Sequence, residues 1–187
     1  MDMHKAVTAF LTVAVLMIGS GVAGAAMEVM VGGQAMLPTK DIVDNAVNSA
    51  DHTTLVAAVK AAGLVETLKG QGPFTVFAPT NQAFAALPTG TVDNLLKPEN
   101  KDALTKLLTY HVVAGKLDAA AIKERIKAGQ GEAKFKTVSG GTLIAMMNGE
   151  ANVVLKDEQG HVADISTYNV DQSNGVIHVI DRVVLPR

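Results

Sequence analysis

The apolar pattern of this chain changes period near Gly129, and no other feature restricts the possible fold as much. Before that point apolar residues recur at helical spacing; after it they fall into short runs rich in β-branched residues. Thr39 and Asp41 offer a cap, and Ile42, Val43, Ala46, Val47 and Ala50 then share one helical face. A second helix follows Asp51, with Leu55, Val56 and Val59 inward and Gly63 just past its end. Residues 74–78 read as a strand with Phe74, Val76 and Ala78 on one side. Pro79 ends it, having no N–H for a ladder, and Thr80 caps a helix that brings Phe84 and Leu87 together. A weak helix over 91–96 and a stronger one over 99–110 follow, the latter with Leu104, Leu107, Leu108 and His111 along one stripe. Asp118 caps another helix to about Lys127. Residues 134–138, 142–147, 152–156, 161–165 and 175–185 then read as strands parted by Gly-Gly, Asn-Gly and Gln-Gly turns. Helices first and strands afterwards predict an α+β domain, with helices of the N-terminal half packed on a sheet wedge or sandwich built largely from the C-terminal half.

The beginning of the chain reads as an address rather than as structure. Lys5 precedes an apolar run over residues 6–18, and Ala23-Gly24-Ala25 fits a small-residue cleavage site. The run is shorter than the ~20 residues a spanning helix needs. We therefore divide the chain into a signal peptide (1–25), a Gly-Gly-containing linker (26–38) and one domain (39–186), and expect a secreted or periplasmic product with no membrane insertion after cleavage. A signal left uncleaved as an anchor is the alternative. The 187 residues contain no cysteine, which excludes disulfides, thiolate metal sites, a thiol nucleophile and a lipoprotein anchor. A formal net charge of −2 with no cluster of Lys and Arg argues against a nucleic-acid partner.

Two segments far apart carry the functional information: residues 74–87 (FTVFAPTNQAFAAL) and 174–186 (NGVIHVIDRVVLP). Together they resemble the signature boxes of the fasciclin-like domain family. The first box matches at Thr75, Phe77, Ala78, Pro79, Thr80, Asn81, Ala83 and Phe84, and the second at Asn174, Gly175, Val176, Ile177, His178, Val179, Ile180 and Asp181. Tyr110-His111 is similar to the family's central Tyr-His pair, and residues 137–143 (TVSGGTL) to its Thr-Leu-x-Gly segment. The resemblance covers residues 39–186. It departs from the family at Ala114, where many relatives have proline, and at residues 166–172, which do not align firmly. It implies a compact α+β domain and a non-catalytic role in adhesion or extracellular protein recognition, with a protein or a cell-envelope or matrix component as partner. By the same resemblance Tyr110, His111, Asp164 and Ile165 are the candidate contact residues.

The residues also have plainer readings. Phe77, Phe84 and Ile177 are expected in the core, Gly175 in a turn with positive φ, and Val176, His178 and Ile180 on one side of a strand. His111 is either a hydrogen-bonded buried histidine or a contact and pH-sensitive element. His161 with Asp164, or His178 with Asp181, would need further ligands to hold a metal, and no G-x-S-x-G elbow or H-E-x-x-H helix occurs. Gly19–Gly24 matches G-x-G-x-x-G only formally, within the signal region. Met27, Met30 and Met36 are soft ligands suited to Cu(I), against the plainer reading of linker methionines. No catalytic residue, metal or cofactor is assigned. The alternative function is a periplasmic binding protein for a small ligand or envelope polymer, using a cleft between helices and sheet.

Overall fold

The computed structural model describes residues 28–187. The expected signal peptide and Met27 lie outside the described residues. The first described element corrects the expected linker: β1 (Val29–Val31) and β2 (Gln34–Met36) form an antiparallel hairpin. Gly32 and Gly33 make its turn with φ of 58° and 75°, and Val31 and Met36 are buried in the core. Strands this short leave too few alternations for a period to be visible.

Short helices follow. Asp41 caps α1 (Ile42–Ala46) by accepting from the Asp44 N–H. This helix stops before Val47, which is half exposed, so Val47 and Ala50 leave the expected inner face. Asn45 is buried instead. Its side chain bonds both the N–H and the carbonyl of Leu37, and also the Gln172 side chain, tying the hairpin to the sheet. Helix α2 (Thr53–Ala62) ends at Gly63 in the left-handed conformation, as the sequence requires, and α3 (Val65–Lys69) follows. After the central strand β3 (Phe74–Pro79), Thr80 caps α4 (Asn81–Ala85) through the Ala83 N–H. Next come α5 (Thr91–Leu95), α6 (Lys101–Tyr110), β4 (Val112–Ala114) and α7 (Ala119–Ala128), the last capped by Asp118.

The C-terminal half supplies β5 (Glu132–Lys136), β6 (Thr142–Asn148), β7 (Asn152–Lys156), β8 (Val162–Gln172) and β9 (Gly175–Ile180). With β3 and β4 they form a seven-stranded sheet in the order β4-β3-β9-β8-β7-β6-β5. Only the β3–β9 pair is parallel, and it joins the two signature segments along their length, Phe74 opposite Gly175 through Pro79 opposite Ile180. The sheet curls until its edge strands approach each other, with a bridge between Val113 and Thr137. This is the α+β architecture expected, with two core clusters. One lies between the helices and the sheet and includes Val76, Phe84, Leu104, Leu108 and Ile177. The other fills the curl and includes Phe77, Tyr110, Phe135, Leu155 and Ile180. Alternation along β3 sends Val76 and Ala78 to the first and Phe77 to the second.

Residues 166–172, which had no firm alignment, belong to β8. The strand keeps pairing with β9 through register shifts around Thr167, and Asn169 takes a φ of 55°. Gly175 also differs from expectation. It is not among the positive-φ glycines; a Cβ there would lie 2.1 Å from the Phe74 carbonyl oxygen. Glycine is required because β3 comes too close for any side chain.

Candidate functional site

Tyr110 ends α6 with its ring fully buried. Its hydroxyl donates to the Thr142 carbonyl at 2.8 Å and accepts from the Glu158 N–H at 3.1 Å, clamping helix to sheet. Burial, reinforced by the charges of Glu158 and Asp157, pushes its pKa up to about 12. His111 is 2% exposed. Its Nδ1 lies 2.8 Å from the Leu107 carbonyl, and Nε2 lies 3.2 Å from the Val184 N–H. A carbonyl only accepts and an amide N–H only donates, so these partners fix one neutral tautomer with the proton on Nδ1. Burial lowers the pKa to about 4, with the Leu107 carbonyl and Asp157 opposing it. The ring thus closes a helix end and anchors the C-terminal tail.

The tail is fastened at further points. Asp157, whose side chain is wholly buried, accepts from the N–H groups of Gln159, His161 and Leu185. The Glu158 carboxylate accepts from the Arg187 and Thr142 N–H groups, which hold its pKa below the usual value. Fixing the tail fixes Asp181 and Arg182 where it leaves β9. Asp181 Oδ1 accepts from the Asp164 N–H at 2.8 Å, and the Asp181 N–H donates back to the Asp164 carbonyl at 3.1 Å. Asp164, Asp181 and Arg182 are all exposed, whereas Ile165 faces the inner core. Of the four candidate contact residues, then, Asp164 alone offers atoms to a partner. Tyr110, His111 and Ile165 lie beneath. Sequence spacing did not reveal Asp181 as a surface neighbour of Asp164, because their adjacency depends on the β8–β9 register.

The profile of the fasciclin domain matches residues 50–186. The chain belongs to the fasciclin domain family. Protein sll1483 of Synechocystis is 52% identical to it over 149 residues, covering 78% of this chain and 73% of the relative. The immunogenic protein MPB70 of Mycobacterium bovis is 36% identical over 144 residues, covering 74% and 65%. Human periostin is 34% identical over 136 residues, which is 73% of this chain but 15% of that longer protein. Among solved structures, a domain pair from the insect cell adhesion molecule fasciclin I superposes with a TM-score of 0.57 at 20% identity, covering 70% of this chain and 43% of the pair. That likeness is one of fold.

Four residues of the two resembling segments join separate elements here. Thr75 Oγ1 donates to the Gly115 carbonyl and accepts from the Leu117 N–H. Asn81 accepts from the Thr54 N–H and donates to the Ala50 carbonyl. Asn174 donates to the carbonyls of Leu68 and Gly70 and accepts from the Ile42 N–H, tying β9 to α1 and α3. His178 stacks on Phe77 at 5.7 Å; its Nε2 meets the Leu117 carbonyl and its Nδ1 the Asn169 N–H, and burial lowers its pKa. His161 pairs with Asp157 at 3.1 Å rather than with Asp164. Among the described residues no three His, Asp or Glu side chains come together as a metal site, and no helix is long and apolar enough to cross a membrane.

Proposed function

We propose that this fasciclin domain is an exported, non-catalytic recognition module of the adhesion type, binding a protein or a cell-envelope or matrix component. The contact surface in this reading is the charged strip of Asp164, Asp181 and Arg182. The observation that carries it is the pair of reciprocal hydrogen bonds between Asp164 and Asp181. They fix the Asp181 carboxylate against the Asp164 backbone at the surface, backed by the tail that His111 and Asp157 anchor. Fixed surface charges favour specificity and encounter rate, because little order is lost when a complementary partner docks. Tyr110, His111 and Ile165 act as support from below. Both ring nitrogens of His111 and of His178 are engaged internally, which fits a structural role for these two rings.

The test is affinity capture from the cell envelope with the exported protein as bait, alongside Asp164→Ala and Arg182→Ala. Both variants are expected to keep the wild-type unfolding midpoint and to recover less of a common partner. Equal recovery by both variants refutes the strip as the contact surface. Mass spectrometry of the exported N-terminus checks the proposed cleavage after residue 25.

A further inference from the structure

Two asparagine–glycine steps occur in the chain, Asn148-Gly149 and Asn174-Gly175. The fold treats them in opposite ways. Asn174 is held on both ends of its carboxamide, which accepts from the Ile42 N–H and donates to the carbonyls of Leu68 and Gly70. Gly175 after it is buried within β9, paired with both β3 and β8. Asn148 is the last residue of β6, its backbone paired with Asn152, and residues 149–151 form the turn into β7. Residues 148–152 are all exposed. Among the described residues the Asn148 carboxamide meets one partner, Asp164 Oδ1, at 3.5 Å, beyond the usual range of a hydrogen bond. Gly149 takes a φ of 75° with open space where a Cβ would stand, and its N–H donates to no group among the described residues.

An asparagine followed by glycine places an electrophile beside a nucleophile. The carboxamide carbon is the first and the next backbone nitrogen is the second. Glycine leaves that nitrogen unshielded and lets the backbone turn to bring the two together. The reaction needs a side chain free to rotate and a backbone nitrogen outside a ladder. Asn148-Gly149 meets both conditions. In Asn174-Gly175 three hydrogen bonds hold the side chain and the glycine lies between two strands.

We propose that Asn148 is a self-modification site, converting in the folded protein to aspartyl and isoaspartyl forms beside Asp164. The Gly149 nitrogen bonds to Asn148 Cγ and passes its proton to the side-chain nitrogen, whose bond to Cγ breaks so that ammonia leaves. Water then opens the cyclic imide. Breaking the bond between Cγ and the Gly149 nitrogen leaves the main chain intact with a side-chain carboxylate. Breaking the bond between the main-chain carbonyl carbon and that nitrogen routes the chain through Cγ and frees the α-carboxylate. Each event consumes one water, releases one ammonia and adds one negative charge. The amide that faced Asp164 becomes an acid, and like charges at that distance repel. The conversion is independent of the adhesion reading; its effect on a partner rests on that reading.

The experiment incubates the folded exported protein in neutral buffer made with heavy-oxygen water and follows tryptic peptides 137–156 and 157–182 by mass spectrometry. Residue 148 is expected to lose its amide and gain one heavy oxygen, as a mixture of aspartyl and isoaspartyl forms. Asn174 reacts only when the local structure opens, so it should lag by more than about tenfold, the factor carried by each ~1.4 kcal/mol of opening free energy. In urea the two steps should convert at similar rates, showing that the lag comes from the fold. Asn148→Gln keeps the amide but lengthens the side chain, and should leave position 148 unconverted. The proposal is overturned if folded Asn148 keeps its amide for as long as the urea-unfolded chain takes to lose it. It is equally overturned if Asn174 in the folded protein converts as fast as Asn148. Affinity capture with Asn148→Asp against Asn148→Gln reads the effect on a partner. Unequal recovery is expected, and equal recovery refutes that effect while the mass measurement alone decides the conversion.

Discussion

Replacing His111 with phenylalanine tests whether the tail is held by a neutral, doubly bonded imidazole. The new ring is somewhat larger than the old, so no cavity opens, and any overpacking cost it adds does not depend on pH. It removes both bonds, leaving the Leu107 carbonyl and the Val184 N–H buried without their side-chain partner. Each orphaned group costs about 1–3 kcal/mol, so His111→Phe should lose roughly 2–5 kcal/mol at neutral pH. The pH dependence makes the test sharper. The pKa is 6.5 in the unfolded chain and about 4 in the folded one. A group with a lowered folded pKa stabilises the fold fully above its unfolded pKa, and that stability is lost as pH falls toward the folded value. Between pH 7.5 and pH 4.5 the wild type should therefore lose about 2.5 kcal/mol through this ring alone. The variant has no such loss, while its other titrating groups are unchanged. Urea unfolding of both proteins at the two pH values should show the stability gap shrinking by that amount. A gap independent of pH, or a His111 imidazole that titrates near 6.5 in NMR, refutes the reasoning.

Tyr110→Phe should cost about 1–3 kcal/mol, since the Thr142 carbonyl and the Glu158 N–H lose the hydroxyl that joins them; the urea midpoint should fall with its slope unchanged. Asn174→Ala removes three hydrogen bonds between β9 and α1 and α3, a loss of roughly 2–4 kcal/mol, and amide exchange should quicken in α1 and α3 more than in β6 and β7. Phe84→Ala should cost on the order of 3–5 kcal/mol through lost burial and a cavity in the helical core; an unchanged denaturant midpoint would contradict its placement there.

The fold was legible in the sequence wherever a local rule acts alone. Asp41, Thr80 and Asp118 cap helices because a short side-chain oxygen reaches an N–H within its own turn. Gly63 ends α2 because the left-handed conformation favours glycine. Failures came where a distant element decides. The inner face of α1 was expected to include Val47 and Ala50, but Asn45 is buried there, enclosed by Leu37 and Gln172. Gly175 was read as a turn glycine, yet its constraint is a strand remote in sequence. The surroundings of the candidate contact residues were hidden for the same reason. Spacing placed His111 on the inner stripe of α6, but only the folded chain shows the ring closed off by the tail, with Asp164, Asp181 and Arg182 outside.

The curl of the sheet limits how anything can dock. Edge strands normally offer rows of free N–H and carbonyl groups on which a foreign chain can add itself as another strand. Here Val113 of β4 bridges Thr137, just past the end of β5, α7 packs along β5, and exposed Glu132, Lys134 and Lys136 charge the remainder. Strand addition is therefore discouraged at both ends of the sheet, for partners and for misfolded copies alike. Any ligand of the sheet must be distinguished by side chains, so binding preference can change through surface substitutions while the backbone stays as it is.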